Sequence, residues 1–279
     1  MASASIVDPD APRGGAFVRR HRLTTRITHW LNAVAIFCLL MSGLMIFNAH
    51  PMLYWGQYGA NFDRPVLKIG SEANRGYLRV GDVEVTTTGV LGLWRDGDGE
   101  LRRYAFPGWA TIPSRYSLAD ARLWHLFFAW VLGVNALLYV GAGVVNGHLR
   151  RDLLPTRAEL KPRHILHDIA QHARLRFPTG AAAARYNILQ KLAYLGVMFG
   201  ALPLVILTGL TMSPALNAAW PWLLDLFGGR QSARTLHFVA ALLITLFIVV
   251  HLVMVLLAGP WNEIRSMVTG RFRLPREKL

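Results

Sequence analysis

Four of the ten histidines, His29, His125, His237 and His251, stand inside long apolar stretches, where an ionisable side chain is rare and usually functional. A neutral imidazole offers one lone pair to a metal, so what matters is which of these rings can meet. His237 and His251 share one stretch, 14 residues apart. At about 100° and 1.5 Å per residue they fall within about 40° of one helix face and roughly 21 Å apart along it, one near each surface of a bilayer. An arginine stands three residues before three of the four: Arg26 before His29, Arg122 before His125, Arg234 before His237. One turn nearer the water, these guanidinium groups are candidate partners for an anionic group of a bound cofactor. The plain alternative is that arginines commonly end membrane spans.

The elements that must position these residues follow from the distribution of charge. The 279 residues are 53% hydrophobic and only 16% charged, against roughly 25% in a soluble domain. Ile27–Phe47, Leu123–Val145, Leu192–Met212 and Leu236–Leu257 lack Asp, Glu, Lys and Arg over the roughly 20 residues a helix needs to cross a bilayer. Allowing for flanking turns, the spans cover 27–47, 119–146, 186–212 and 233–258, with Pro203 expected to distort the third. The first run is too long for a signal peptide and is expected to persist; Arg19-Arg20 reads as a juxtamembrane cluster and not an export signal. The net charge of +14 suggests nucleic acid until it is placed. Segments 1–26, 147–185 and 259–279 together hold 18 basic and 7 acidic residues, whereas 49–118 holds 8 and 7, and 213–232 only Arg230 and Asp225. The basic segments mark the cytoplasmic side, with both termini there, so the charge is a topology signal and no nucleic-acid partner is expected. The single cysteine, Cys38, excludes a disulfide scaffold, a zinc ribbon and an iron–sulfur ferredoxin.

This topology sorts the histidines into two levels. His29 with His251 lies toward the cytoplasm, and His125 with His237 toward the outer surface. Zinc would require further Cys or carboxylate ligands, whereas a haem b needs two axial ligands and an apolar slot between helices. Saturated axial positions make such a haem an electron carrier. At the cytoplasmic lip of the third span, Asn187, Gln190 and Lys191 could bond quinone oxygens or pass protons, or could simply cap and snorkel. His164, His167 and His172 read as a solvated loop face. His21, His50 and His148 sit at span edges, and the Arg-rich setting of His21 argues against its replacing His29 as a ligand. In 49–118 the alternation Tyr77-Leu78-Arg79-Val80, Gly81-Asp82, Val83-Glu84-Val85, followed by Leu91–Trp94 and the turn Asp96-Gly97-Asp98-Gly99, predicts a small antiparallel β element. The Asp96–Glu100 run lacks EF-hand spacing and reads as a turn. Trp220 and Trp222 read as interfacial anchors.

Thr25-Arg26-Ile27-Thr28-His29-Trp30-Leu31-Asn32, the Tyr186-Asn187-x-x-Gln190-Lys191 start and His237-x13-His251 resemble the bacterial cytochrome b561 and nickel–iron hydrogenase b-type cytochrome family, which includes the formate dehydrogenase N subunit. Phe227-Gly228-Gly229, Ala233-Arg234 and His237-Phe238 look most like its thiosulfate reductase cytochrome b branch. The resemblance spans the four helices and largely omits 49–118. It implies two haem b groups on the pairs above, a menaquinone or ubiquinone site near Asn187 and His251, and a redox subunit on the outer face, for this branch a molybdopterin enzyme of sulfite-oxidase type. The expected protein is therefore an all-α, four-helix integral protein of the bacterial inner membrane, holding two haems and carrying a small β-containing periplasmic insert. It passes electrons between the quinone pool and a periplasmic oxidoreductase. A stand-alone quinol oxidase serving a small acceptor and a non-catalytic anchor are the rival classes.

Overall fold

A computed structural model describes residues 15–59, 63–176, 178–180, 183 and 186–275. Of the charges used above for topology, Asp8, Asp10, Arg13, Arg185, Arg276, Glu277 and Lys278 lie outside these residues. In chain order the elements are β1 (Phe17–Arg19), α1 (Leu23–Asn48), β2 (Met52–Leu53), β3 (Leu67–Glu72), β4 (Arg75–Val80), β5 (Val83–Thr86), β6 (Trp94–Arg95), β7 (Leu101–Arg102), α2 (Leu118–Val145) and α3 (Pro162–Ala173). There follow α4 (Ile188–Gly196), a π-helical turn at Val197–Ala201, α5 (Leu202–Thr211), α6 (Pro214–Ala219), α7 (Pro221–Leu226), α8 (Arg230–Ala258), α9 (Pro260–Thr269) and β8 (Arg271–Arg273).

Four helical segments are long and apolar enough to cross a membrane: Leu23–Asn48, Leu118–Val145, Ile188–Thr211 and Arg230–Ala258, of mean hydropathy 2.1, 1.9, 2.0 and 3.0. Their outward side chains, among them Phe37, Leu137, Leu138 and Leu246, are exposed, as a surface facing lipid should be. The distortion expected from Pro203 takes the form of the π-helical turn just before it. Proline removes one backbone donor and crowds the carbonyl four residues earlier, here Phe199, and widening the helix there relieves both.

The chain divides into two compact units. One comprises the described parts of 1–30, 136–199 and 245–279. In it β1 pairs antiparallel with β8, Val18 opposite Phe272. Arg20 holds Glu263 through two contacts of 2.9 and 3.1 Å and lies over the Phe272 ring at 4.4 Å. The two terminal segments, expected as basic segments on one side of the membrane, thus pair in one small sheet. The connector 147–185, expected as a loop, contains the helix α3, and the segment 259–279 contains α9.

The other unit comprises 31–135 and 200–244. Its sheet runs β2-β3-β4-β5, all antiparallel, with Val80 opposite Val83 across the Gly81-Asp82 turn. Alternation puts Ile69 on the inner face, where it joins Phe47, Leu53 and Ala105 in a core completed by Leu67, Leu78, Leu91, Phe106 and Phe238. A second hairpin, β6–β7, turns on Asp96. The Asp96 carboxylate accepts the backbone N–H of Asp98 (3.1 Å) and Glu100 (2.9 Å) and pairs with Arg102 (2.6 Å). The segment after α1 is fastened to the start of α8. Gln231 and Ser232 donate their N–H to the Gly56 carbonyl (3.0 and 3.2 Å), Gly56 N–H donates to Ser232 Oγ (2.7 Å), and Thr235 Oγ1 donates to the Tyr54 carbonyl (2.6 Å). Gly229, at φ 109°, permits this approach, since a Cβ there would stand 2.7 Å from the Gly56 carbonyl oxygen. Lower in the same unit Asn135 donates to Asn32 at 2.7 Å, joining α2 to α1.

Candidate functional site

The four intramembrane histidines meet in two pairs, each within a single unit. His125 on α2 faces His237 on α8 with ring centres 6.2 Å apart and planes at 58°. His29 on α1 faces His251 on α8 at 6.3 Å, also at 58°. The second pair is walled by Trp30, edge-on to His29 at 5.3 Å, and by Phe247, stacked on His251 at 5.9 Å.

These separations can be tested against a metal. An imidazole–metal bond is about 2 Å and a ring nitrogen lies about 1.1 Å from its ring centre, so two rings on opposite sides of one metal have centres about 6 Å apart. Both pairs meet this condition. Among the described residues no group of three or more His, Cys, Asp or Glu side chains could complete a protein-only coordination sphere at either pair. Two axial nitrogens are the donor set for a macrocycle that brings its own four equatorial ligands, so the residues fit a haem.

Proton counting assigns the tautomer at the His125/His237 pair. The single Ser42 hydroxyl proton goes to the Cys38 carbonyl at 2.6 Å, so Ser42 Oγ can only accept from His125 Nδ1–H, 3.1 Å away. The Leu39 carbonyl is a second acceptor for that ring. On α5 the same arrangement recurs: Thr208 Oγ1 donates to the Leu204 carbonyl at 2.6 Å and accepts from His237 Nδ1–H at 3.2 Å, with the Val205 carbonyl beside it. Both rings therefore carry the proton on Nδ1 and keep the Nε2 lone pair for a metal. At the other pair, His29 Nδ1 is buried without a hydrogen-bond partner among the described residues. The sequence reading missed Ser42 and Thr208. The available signal was the repeated triplet Ser42-Gly43-Leu44 and Thr208-Gly209-Leu210 within apolar spans.

The remaining candidates have definite neighbours. Arg26 Nη2 donates to the Val268 carbonyl, and its Nε is buried without a partner among the described residues. Arg122 lies exposed on α2. Arg234 donates to the carbonyls of Met52 (2.9 Å) and His50 and lies 5.5 Å from the Phe47 ring centre, so it braces the segment after α1. Asn187 and Gln190 form a capping box at the start of α4: Asn187 Oδ1 accepts Gln190 N–H (2.9 Å) and Gln190 Oε1 accepts Asn187 N–H (3.2 Å). Asn187 Nδ2 also donates to His172 Nε2 (3.2 Å), whose Nδ1 donates to the Asp168 carbonyl. Lys191, buried, is bonded to both oxygens of Glu159 at 2.8 and 3.0 Å. This contact and the Thr156 backbone N–H draw the Glu159 carboxyl down to about 2. The structure thus gives the lip residues capping and charge-pairing work. From that lip a run of rings leads to the ligand: Tyr186 to Tyr194 (5.5 Å), Tyr194 to Phe247 (6.2 Å), and Phe247 to His251. His21 lies 6.5 Å from Tyr186 and within electrostatic reach of His29, with burial and the neighbouring Arg20 pushing its imidazole down to about 4.

Comparison with known proteins identifies a family. Residues 20–270 match the family described as prokaryotic cytochrome b561. The chain is 28% identical over 245 residues, 88% of its length and 93% of the relative's, to an Azospira oryzae protein provisionally named protein-methionine-sulfoxide reductase subunit YedZ1. It is 32% identical over 181 residues, 63% of its length and 65% of the relative's, to an Escherichia coli protein provisionally named cytochrome YdhU. No solved structure matches. The chain belongs to the prokaryotic cytochrome b561 family, and is a haem-binding, electron-transferring b-type cytochrome that crosses a bacterial membrane several times.

Proposed function

We propose that the chain is a dihaem cytochrome b subunit that exchanges electrons between the quinone pool and a redox enzyme outside the inner membrane. The observation that carries this reading is the separation of the two imidazole pairs, 6.2 and 6.3 Å, each suited to a metal held between them. When bound, each haem supplies a one-electron carrier that cycles between ferric and ferrous iron. The protein's part would be to hold one haem with His29 and His251 and the other with His125 and His237, two imidazoles to each iron, so that oxygen and substrate would be kept from it. Arg26, Arg122 and Arg234 sit one turn from three of these ligands and supply positive charge toward the propionates, with the donors of Arg26 and Arg234 shared with backbone carbonyls.

Quinone binds on the cytoplasmic side, at the lip formed by Asn187, Gln190 and Lys191. The Tyr194–Phe247–His251 rings offer it a flat apolar wall, and the lip residues orient its oxygens and relay protons. The side-by-side terminal strands support placing both termini on one face, and the excess of basic residues there makes that face cytoplasmic. The insert 49–118 then projects into the periplasm and receives the partner, a molybdopterin enzyme of sulfite-oxidase type. The word "subunit" in the name of the Azospira relative favours a partnered role over a stand-alone quinol oxidase.

Haem content tests the reading. Purified protein should show a reduced b-type α-band and about two haems per chain by pyridine haemochrome. A menaquinol or ubiquinol analogue should reduce it. A colourless preparation from haem-sufficient cells would overturn the reading. Deleting 49–118 is not a clean test of partner dependence, because residues 50–56 brace α8. Co-purification of a soluble redox protein with the intact chain is the direct measurement.

A further inference from the structure

We infer that Ser42-Gly43 and Thr208-Gly209 are matched positioning brackets that set the orientation and donor strength of His125 and His237, and thereby draw down the redox potential of the haem held there. The inference rests on reading the two pairs as haem ligands.

The hydroxyls supply the first half of the argument. In each bracket the hydroxyl proton is committed to the carbonyl four residues earlier, at 2.6 Å in both cases, which leaves oxygen lone pairs aimed at the ring. Each ring N–H thus finds a hydroxyl acceptor, at 3.1 Å for His125 and 3.2 Å for His237. Donating that proton moves electron density to Nε2 and makes the imidazole a stronger σ-donor. A stronger donor favours ferric over ferrous iron, so the potential falls. The contrast within the same protein is His29, whose buried Nδ1 has no acceptor among the described residues.

The glycines supply the second half. A Cβ at Gly43 would stand 3.3 Å from His125 Cε1 and 3.7 Å from its Nδ1; at Gly209 it would stand 3.3 Å from His237 Cε1 and 3.6 Å from its Nδ1. The two brackets touch the same ring atoms at nearly the same distances, although they lie on different helices and share only the hydroxyl-Gly-Leu pattern. Glycine lets the helix turn lie against the edge of the ring, and the hydroxyl fixes the rotation of that ring about its Cβ–Cγ bond. Together they account for how two rings from different helices are held in a defined mutual orientation.

The test uses the purified, haem-loaded full chain, with redox potentiometry of the α-band and electron paramagnetic resonance of the oxidised low-spin haems. Ser42→Ala and Thr208→Val should retain both haems and move one of the two midpoint potentials upward, leaving the other unmoved. Ser42→Thr, which restores the hydroxyl, should return that midpoint toward the parent value. Gly43→Ala replaces a poor helix former by the best one and so should not unfold the span, yet it should shift the low-spin signal of the same haem by displacing the His125 ring. Unchanged midpoints in a combined Ser42→Ala/Thr208→Val chain that still holds two haems overturn the inference and leave the dihaem reading intact. A downward shift, or equal movement of both midpoints, overturns it as well. A parent chain without haem overturns the dihaem reading itself.

Discussion

Replacing His125 by alanine should remove one haem and spare the other. The size of the effect follows from the pairing: each haem depends on two rings, and the two pairs share no side chain, so the α-band per chain should fall to about half. Truncation empties a space the size of an imidazole ring. On the far side of it Ser42 Oγ, the Leu39 carbonyl and Gly43 are left in place, and His237 remains held by Thr208. Exogenous imidazole fits that space and can offer its N–H to the Ser42 oxygen, so it should restore the lost half of the band to His125→Ala and leave the band of the parent chain unchanged. Spectra of reduced protein, titrated by potential, identify the missing component. His237→Ala should remove the same component as His125→Ala, whereas His29→Ala and His251→Ala should each remove the other. Loss of the same component from His125→Ala and His29→Ala would refute the pairing, as would retention of both haems in His125→Ala.

Other substitutions test the scaffold. Arg234→Gln removes charge-assisted bonds to the His50 and Met52 carbonyls, each worth about 1.5–3 kcal/mol, and should lower the detergent unfolding midpoint markedly; an unchanged midpoint would show that Arg234 does not brace this segment. Gly229→Ala combines a positive φ with a Cβ 2.7 Å from the Gly56 carbonyl oxygen, and should cost about 1–3 kcal/mol, read as faster proteolysis near residues 54–58. Glu159 has its carboxyl drawn from 4.5 down to about 2 by Lys191, so its contribution is present above about pH 4.5 and lost as pH falls toward 2. The pair is partly solvated and worth about 1 kcal/mol, so Glu159→Gln should be slightly less stable at neutral pH and flatten the acid limb of the stability curve over that window. Parallel curves for parent and variant across it would count against the pair.

The legible part of this protein is the part that lipid makes conspicuous. Histidines are expensive in a span, so their presence and depth carried information, and His237 and His251 could be related by helical arithmetic alone. The hydroxyls behind His125 and His237 were invisible for the opposite reason: Ser42 and Thr208 are ordinary residues in a span, and their carbonyl bonds look like routine satisfaction of a polar side chain. Arg234 satisfies the same spacing rule as Arg26 and Arg122, yet nothing local reveals that it reaches the carbonyls of His50 and Met52, some 180 residues earlier. The β1–β8 ribbon escaped because strands of three residues have no measurable alternation and their partners are separated by nearly the whole chain. The short helices α3, α6, α7 and α9 did leave a mark, since each has proline in its first turn, a position where a missing N–H costs nothing.

The terminal ribbon also bears on how the protein is made. Phe17–Arg19 leaves the ribosome before the four described spans, while its partner Arg271–Arg273 leaves after them. The first strand must therefore wait, unpaired, through the insertion of every helix, and Arg20 cannot meet Glu263 until the last one is threaded. A chain truncated before residue 271 would lack β8 and leave β1 without the strand it pairs with.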